Sequence, residues 1–498
     1  MKRREFLKDC IVGAGALGLG GAVTRAALVL ENRSLSLRLG HKRPNIIFIM
    51  ADDMGWRDAG FMGSLYYETP NIDKLAGQGM VFTNAYANAA NCAPTRASFL
   101  TGQYTPRHGI YTVNTSERGS SKDRRLIPIA NDTTLDSEHV TIAEALSQAG
   151  YKSASMGKWH MGNDPELGPI AQGFDVNVGG GSAGSPYGGT YFSPYKNPNL
   201  ADGPPGEYLT DRLNDEALTF IEANRDRPFF LYLAHYAVHT PLQAKADLKS
   251  KYQNKPPSNG HDNPTYAAML DSLDEGIGRV MDKLDELKLA DNTAVFFFSD
   301  NGGYGGATSM QPLRGFKGMF YEGGIREPLI VRWPAIVRPA SKCDVPVIST
   351  DFFPTFLEMA GMRKPAELTL DGESLVPLLK GSKSLNRQAL FWHFPAYLQG
   401  NYAGSRDGKF RTRPVSVIRK GRWKLLQYLE EWVLDGGWGS IDTNNAIELY
   451  DLANDIGETE NLATVNTAKR NELLNDLIAW QNEVDAPIPS QPNPGYQP

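Results

Sequence analysis

The sequence is poor in cysteine. Only three of its 498 residues are Cys, and because Cys10 lies near the start, the body of the chain contains only Cys92 and Cys343. Two cysteines cannot form a disulfide framework, so the stability of the fold must come from its core. The sequence alone leaves open whether these two cysteines bond to each other or have separate roles.

An excess of positive charge is also missing. Residues 1–43 hold nine of the 51 Lys and Arg residues and three of the 56 Asp and Glu residues, so the rest of the chain has a formal charge of −11. An acidic protein does not attract nucleic acid through its overall field, and we expect no nucleic-acid partner. A small anionic substrate is still compatible with this charge, because a few cations can dominate one pocket.

A stable membrane span is not expected either. The apolar run from Ile11 to Val23 is too short to cross a bilayer, and it follows the charged segment Arg3-Arg4-Glu5-Phe6-Leu7-Lys8. That segment resembles a twin-arginine signal, the address of bacterial proteins exported in the folded state. We therefore predict that residues 1–30 are an export signal read by the twin-arginine machinery, and that the mature protein is periplasmic or extracellular. The alternative is an uncleaved membrane anchor.

Apolar strands alternate with amphipathic helices over residues 44–385. Pro44–Met50, Phe229–Ala234 and Thr293–Ser299 are almost entirely apolar, which is typical of strands buried on both faces of a parallel sheet. Helical patterns such as Tyr266–Leu287 separate them. The alternation predicts an α/β domain with a large, mostly parallel central sheet flanked by helices.

The pattern changes at about residue 386. Short alternating runs such as Val415–Leu426 and Glu448–Leu452 predict a small antiparallel sheet, and Thr467–Glu483 predicts a closing amphipathic helix. We therefore predict a smaller C-terminal α+β subdomain over residues 386–498.

Four predicted strands of the large domain are followed by polar or ionisable residues. Parallel strands end at one edge of a sheet, where ligands bind, so we expect these side chains to converge. Carboxylate and amide oxygens among them favour a hard divalent ion, Ca²⁺ or Mg²⁺, over zinc. Each acid taken alone would instead be a turn former or a helix cap. The residues are Asp52 and Asp53, Lys158 and His160, His239, and Asp300 and Asn301.

Cations accompany these acids. Arg96, Lys158 and Lys317 could supply positive charge near a metal, although Lys317 taken alone fits a solvated surface better. His160 and His239 each follow a strand and are placed for acid or base chemistry. Without that context, each would be interpreted as a core histidine satisfied by a hydrogen bond.

The strongest signal is the stretch Cys92-Ala93-Pro94-Thr95-Arg96-Ala97-Ser98-Phe99-Leu100-Thr101-Gly102. It resembles the signature of the type I sulfatases, the formylglycine-dependent, arylsulfatase-like enzymes of the alkaline phosphatase superfamily. Further segments occur in sulfatase order and extend the resemblance over nearly all of the mature chain. They are Ile49–Trp56, Met156–Gly162, His239–Pro241, Ser299–Gly303, Arg314–Gly318 and Tyr321–Arg326.

The resemblance implies how the site is equipped. A maturation enzyme would oxidise Cys92 to formylglycine, whose hydrated aldehyde is the nucleophile. Ala93 and Thr95 stand where Ser or Thr and Ser are commoner, but the Cys, Pro and Arg that maturation requires are present. The ion, commonly Ca²⁺, would be held by an oxygen of modified Cys92 together with Asp52, Asp53, Asp300 and Asn301.

The resemblance also implies catalytic roles. Arg96 and the ion would help to ionise the nucleophile, and Lys158 and Lys317 would stabilise charge on the sulfuryl oxygens. His239, with Lys317, would assist the departing alcohol. His160 would help to remove the proton whose loss expels sulfate and restores the aldehyde.

Three functions are open at this point. The leading hypothesis is a sulfuric ester hydrolase acting on a sulfated carbohydrate, which the Gly- and Tyr-rich segment Gly179–Gly206 would suit as a wall of the site. A phosphonate monoester or phosphodiester hydrolase of the same superfamily is the enzymatic alternative. A protein that binds sulfated glycans without a matured nucleophile is the non-catalytic one.

Overall fold

The computed structural model describes residues 43–497 and is built around a nine-stranded sheet. The predicted signal, residues 1–30, lies outside the described residues. The strands of the sheet are β1 (Asn45–Ala51), β2 (Met80–Tyr86), β3 (Lys152–Gly157), β4 (Val176–Val178), β5 (Phe229–Ala234), β6 (Thr293–Ser299), β7 (Arg326–Arg332), β8 (Ser341–Cys343) and β9 (Val347–Ile348).

The sheet is mostly parallel, as predicted. Its order is β4-β3-β5-β1-β6-β7-β2-β8, and β9 also pairs with β2. The exception is β7, which runs antiparallel to both β6 and β2, while the other pairings are parallel. Because two reversals meet at β7, β2 runs in the same direction as β1 and β6. The carboxyl ends of β1, β2, β3, β5 and β6 therefore lie at one edge of the sheet.

Helices cover both faces of the sheet. The helices of the described chain are α1 (Pro70–Gln78), α2 (Cys92–Thr101), α3 (Thr105–His108), α4 (Ile142–Gln148), α5 (Leu209–Ala223), α6 (Ala246–Tyr252), α7 (Pro264–Glu286), α8 (Glu322–Ile325), α9 (Phe352–Met359), α10 (Val376–Leu379), α11 (Leu429–Leu434) and α12 (Thr467–Glu483). None of them combines the length and the apolar character that crossing a bilayer requires.

The central strand β1 explains why the sequence pattern there is continuously apolar. Successive side chains of a strand point to opposite faces. Phe48 and Met50 join the core formed with α2, α4 and α9, whereas Ile47 and Ile49 join the core formed with α1, α5 and α7. Both faces of β1 are therefore buried. Charged residues can follow the strand directly, because the two positions after its end belong to neither hydrophobic core.

The C-terminal region contains the predicted antiparallel sheet. Its strands are β10 (Ala389–Phe394), β13 (Val415–Lys420), β14 (Trp423–Tyr428) and β15 (Ile447–Asp451), in the order β10-β13-β14-β15. A separate two-stranded ribbon pairs β11 (Leu398–Gln399) with β12 (Phe410–Thr412). A third hydrophobic core unites this sheet and α12 with residues of α8 and β2. The division at residues 385 and 386 stays a prediction.

Several predicted elements are confirmed to the residue, among them β5, β6 and α12. Cys92 is the first residue of α2. Cys92 and Cys343 are separate, free and buried, so the bond between them that the sequence left open does not occur.

Candidate functional site

Two pairs of polar residues, with three aspartates and one asparagine among them, follow neighbouring strands at the carboxyl edge of the sheet. Asp52 and Asp53 come directly after β1, and Asp300 and Asn301 directly after β6, and the two strands end in register. The backbone N–H of Asp53 donates to Asp300 Oδ1 at 3.2 Å, and Asn301 Nδ2 donates to Asp53 Oδ1 at 2.8 Å. All four side chains are buried. These residues form what we call the acid cluster.

A left-handed turn lets both aspartates face the same space. Successive residues of an extended chain point to opposite sides, but Asp53 has a φ of 59°, a conformation that Asp tolerates better than most residues. As a result Asp52 Oδ1 lies 3.4 Å and Asp53 Oδ1 3.7 Å from Cys92 Sγ. The pair therefore converges on the predicted nucleophile position.

Cys92 lies in the centre of these groups. It opens α2 and is buried, and Lys317 Nζ approaches its Sγ to 3.2 Å. Burial, followed by the charge of Asp300, raises the pKa of the Cys92 thiol, which therefore stays protonated.

Each carboxylate of the acid cluster has a cation. Lys158 Nζ lies 2.6 Å from Asp52 Oδ2, and Lys317 Nζ lies 2.7 Å from Asp53 Oδ1. Arg96 Nη2 lies 2.7 Å from Asp300 Oδ2. Arg96 reaches the cluster because it stands four residues after Cys92 in α2, and residues with this spacing share one face of a helix.

The electrostatics show how crowded the acids are. Burial, and then the charge of Asp300, raises the pKa of Asp52 to about 7. Burial also tends to raise the pKa values of Asp53 and Asp300. Lys317 nevertheless holds the pKa of Asp53 below its ordinary range, and Arg96 does the same for Asp300. Carboxylates that repel each other in a buried space are stabilised by any further positive charge.

The two predicted histidines flank the cluster. His239 Nε2 lies 3.6 Å from Asp53 Oδ2, and its Nδ1 lies 2.7 Å from the carbonyl of Thr240. Burial lowers the pKa of His239 to about 4. Burial, followed by the charge of Lys158, lowers the pKa of His160 well below its ordinary value. His160 Nδ1 is buried without a hydrogen-bond partner in the described chain, so it is a free acceptor or donor in this pocket.

Residues that the sequence pattern did not mark support the site. The Tyr266 hydroxyl lies 3.1 Å from the carbonyl of Asp53 and 2.6 Å from Asp58 Oδ2, which braces the turn after β1. Glu327 is buried in β7, and burial together with Asp300 raises its pKa well above the ordinary range. A tyrosine on an amphipathic helix carries no signal, but a glutamate inside an apolar strand is an exception that could have been noticed.

The donor set fits a metal ion. One ligand atom from each of Asp52, Asp53, Cys92 and His239 lies within 4.8 Å of the others. The Asn301 Oδ1 atom is buried and accepts no hydrogen bond within residues 43–497. Such an unused oxygen beside carboxylates is what an oxygen-preferring cation requires. The metal expected from the sequence is therefore compatible with the geometry.

Family comparisons decide the class of protein. The Sulfatase family profile matches residues 44–362, well over half of the chain. The chain belongs to the sulfatase family. A second profile, N-sulphoglucosamine sulphohydrolase, C-terminal, matches residues 316–483 of this sulfatase.

Individual relatives agree with the family assignment. A sulfatase of Formosa agariphila is 33% identical to this chain over 90% of both proteins. Human N-acetylgalactosamine-6-sulfatase is 30% identical over 90% of this chain and 87% of its own length. The crystal structure of Ps i-CgsB in complex with k-i-k-neocarrahexaose is 29% identical, with a TM-score of 0.72, and the match covers 90% of this chain and 95% of that one. The protein is a sulfuric ester hydrolase with the fold of the alkaline phosphatase superfamily.

Proposed function

We propose that this sulfatase removes sulfate from a sulfated carbohydrate, using formylglycine made from Cys92 and a divalent ion, Ca²⁺ or Mg²⁺. The observation that carries the proposal is the environment of Cys92 Sγ, which has Lys317 Nζ at 3.2 Å and carboxylate oxygens of Asp52 and Asp53 at 3.4 and 3.7 Å. The reaction converts the ester and one water molecule into an alcohol and inorganic sulfate.

The acid cluster would hold the ion. Asp52, Asp53, Asp300 and Asn301 supply its oxygens, and the group at position 92 completes the set. In the family, the hydrated aldehyde supplies two hydroxyl groups on one carbon, one to attack sulfur and one whose deprotonation releases sulfate, while the ion supplies positive charge.

The cations of the site would bind the sulfuryl oxygens. Lys158 and Lys317 converge on the acid cluster from two sides, and Arg96 is buried with its guanidinium fixed by Asp300 and by the carbonyl of Lys158. Charge that develops on the sulfuryl group in the transition state is then met by donors that are already in place. These contacts also exclude bulk water, which strengthens them.

The histidines would move protons. His239 Nε2 faces the acid cluster at the partly exposed mouth, where the leaving oxygen must emerge, and with Lys317 it would protonate that oxygen. A bound sulfate ester places negative charge beside the ring and favours its protonated form. His160, held neutral by its surroundings, would accept the proton whose loss expels sulfate.

A carbohydrate substrate is supported by the wall of the site and by the relatives. The Tyr191 hydroxyl, within the segment predicted as a wall, donates to the carbonyl of His239 at 2.8 Å, and the carbonyl of Gly181 accepts from His160 N–H at 2.8 Å. This segment therefore borders both histidines. The names of human N-acetylgalactosamine-6-sulfatase and of the neocarrahexaose complex both point to sugars.

The proposal includes a route to the mature enzyme. A formylglycine-generating enzyme would convert Cys92 in the cytoplasm, and the twin-arginine machinery would then export the folded protein to the periplasm or beyond. The sequence of residues 1–30 supports the export step of this route.

The first experiment is the mass of the peptide that contains Cys92, from protein purified out of its own source. We expect the mass of the aldehyde, together with release of sulfate that a chelator abolishes and that Ca²⁺ or Mg²⁺ restores. Comparing kcat/KM for sulfate, phosphodiester and phosphonate esters separates the proposal from its enzymatic alternative. If Cys92 stays a thiol in protein that binds sulfated glycan, the result would favour the non-catalytic alternative, a sulfated-glycan binding protein.

A further inference from the structure

Two arginines, Arg118 and Arg411, lie at the ribbon β11–β12, and Arg411 contacts the loop that carries Lys317. Arg411 belongs to β12, and its Nη1 donates to the backbone carbonyl of Lys317 at 3.1 Å. The Arg411 side chain is packed so closely along Gly318 that a Cβ at that position would meet Arg411 Cδ at 2.5 Å. The C-terminal ribbon β11–β12 therefore extends a cation to the edge of the catalytic pocket.

Arg118 reaches the same ribbon from the other side. Its Nε donates to Gln399 Oε1 in β11 at 2.9 Å. The following residue, Gly119, is packed against Phe410 of β12, where an added Cβ would lie 2.7 Å from the ring. Two segments that are far apart in the chain thus bring their guanidinium groups to one ribbon.

Four neighbouring cations have acid partners, whereas Arg118 donates to the neutral oxygen of Gln399 and Arg411 to the backbone carbonyl of Lys317. A buried or half-buried cation is normally paired. This contrast marks Arg118 and Arg411 as available to another group. The paired neighbours are Arg413 with Asp407, Lys409 with Asp123, Arg124 with Glu117, and Arg125 with Asp435.

The guanidinium of Arg118 also lies within the electrostatic influence of Arg411. Burial, and then the charge of Arg411, lowers the pKa of Arg118. Arg411 Nε is buried and has no hydrogen-bond partner among residues 43–497, and the guanidinium is held flat by Tyr402, 4.1 Å from the centre of its ring. Like charges kept together with an unused donor favour a bound anion, and the planar guanidinium suits an oxyanion with two oxygens.

We infer that Arg118 and Arg411 bind a second oxyanion of the substrate, a sulfate ester or a carboxylate, while the first sulfate occupies the catalytic pocket. The inference rests on the proposed function and sharpens it. It defines the substrate class as a glycan with at least two anionic groups, rather than a neutral glycan with one sulfate.

The test compares three disaccharides that share one scissile sulfate. One has no other anion, one has a second sulfate ester, and one has a uronic carboxylate. The wild-type enzyme is expected to show a kcat/KM about tenfold or more higher for at least one doubly anionic substrate, because charge-assisted hydrogen bonds are the stronger kind. The doubly anionic substrate with the higher kcat/KM shows whether the second bound anion is a sulfate ester or a carboxylate.

Variants assign that preference to the two arginines. In Arg118→Gln and in Arg411→Gln the ratio of kcat/KM values is expected to fall about tenfold, chiefly through KM. Any indirect effect on Lys317 changes both substrates alike and cancels in the ratio. Lys409→Gln removes one charge from the same ribbon at an exposed, acid-paired position and is expected to keep the preference.

A measurement without variants complements these. Raising the ionic strength is expected to increase KM for the doubly anionic substrate more than for the singly sulfated one. A wild-type enzyme without the preference, or a preference that both arginine variants retain, would overturn the inference while leaving the sulfatase proposal intact. Failure to release sulfate even from 4-nitrophenyl sulfate would overturn both.

Discussion

Two clusters of buried charges use the same kinds of residue in opposite ways. The acid cluster opens toward Lys317 and His239, whose side chains are 14% and 17% exposed. The second cluster, which we call the linking cluster, consists of Glu322, Lys424 and Glu458, each with a side chain 0% exposed.

The linking cluster is fully buried. Lys424 Nζ lies 3.0 Å from Glu322 Oε1 and 2.9 Å from Glu458 Oε1, and Glu458 Oε2 accepts from the backbone N–H of Glu322 at 2.6 Å. It joins α8 to the C-terminal sheet through charges that no incoming group can reach. The difference teaches that access from solvent, and not burial of charge, separates a reactive site from a structural one. Substitutions should therefore affect activity in the first cluster and stability in the second.

The largest expected effect is on Cys92. Cys92→Ala removes the position of the nucleophile, so sulfate release should fall by about 10⁴-fold or more, while thermal unfolding shifts little. The control is Cys343→Ala, which truncates the other free, buried cysteine, in β8. It should keep kcat. Sulfate release that survives Cys92→Ala would contradict the proposed mechanism.

The next effect breaks the linking cluster. Lys424→Met leaves Glu322 and Glu458 buried without their shared cation, which should reduce the free energy of unfolding by about 3–5 kcal/mol. Lys420→Met, on the adjacent strand β13, removes a partly exposed cation paired with Glu472 and Asp476, and should cost about 1 kcal/mol or less. Urea unfolding measures both.

Measuring kcat per folded molecule of the Lys424→Met variant sharpens the comparison between the two clusters. Lys424→Met should lose far more stability than kcat, because Lys424 does not contact the acid cluster. If kcat instead falls by orders of magnitude while the protein stays folded, the linking cluster positions the loop of Lys317 and the contrast between the clusters fails.

A smaller effect is expected at His239. His239→Ala removes a proton donor, so it should slow esters with poor leaving groups, such as sugar sulfates, by roughly 100-fold. It should slow 4-nitrophenyl sulfate much less, because nitrophenolate leaves without protonation. Plotting kcat/KM against the pKa of the leaving alcohol gives the measurement. Equal losses across the series would show that His239 only binds the ester.

Much of the site could be predicted because its residues follow strands whose pattern is unmistakable. An apolar run that ends abruptly in Asp52 and Asp53 indicates both a buried strand and an edge, and Asp300 repeats the pattern after β6. The periodicity of the sequence did not predict at which edge of the sheet Cys92 lies. Its position depends on β7, which reverses direction between β6 and β2. Only the family resemblance placed Cys92 with the acids.

Contacts that do not involve the ends of neighbouring strands could not be predicted. Arg411 touches the carbonyl of Lys317 across 94 positions of the chain, and Tyr266 braces Asp53 across 213. Neither residue has a sequence neighbour that reveals the contact, since alternation fixes only which face a residue takes. Such pairings depend on tertiary packing.

The last and smallest effect tests the linking cluster by pH. Burial raises the pKa of Glu458 from 4.5 to about 7. Between these values the folded state binds a proton that the unfolded state releases, so a rise in pH through this window lowers the free energy of unfolding. Glu458→Gln cannot ionise, and its stability relative to wild type should increase by about 1–3 kcal/mol from pH 5 to 8. The exposed Glu460→Gln should show a flat difference. A flat difference for Glu458→Gln as well would mean that Lys424 keeps Glu458 ionised, and that the linking cluster is a full ion triad.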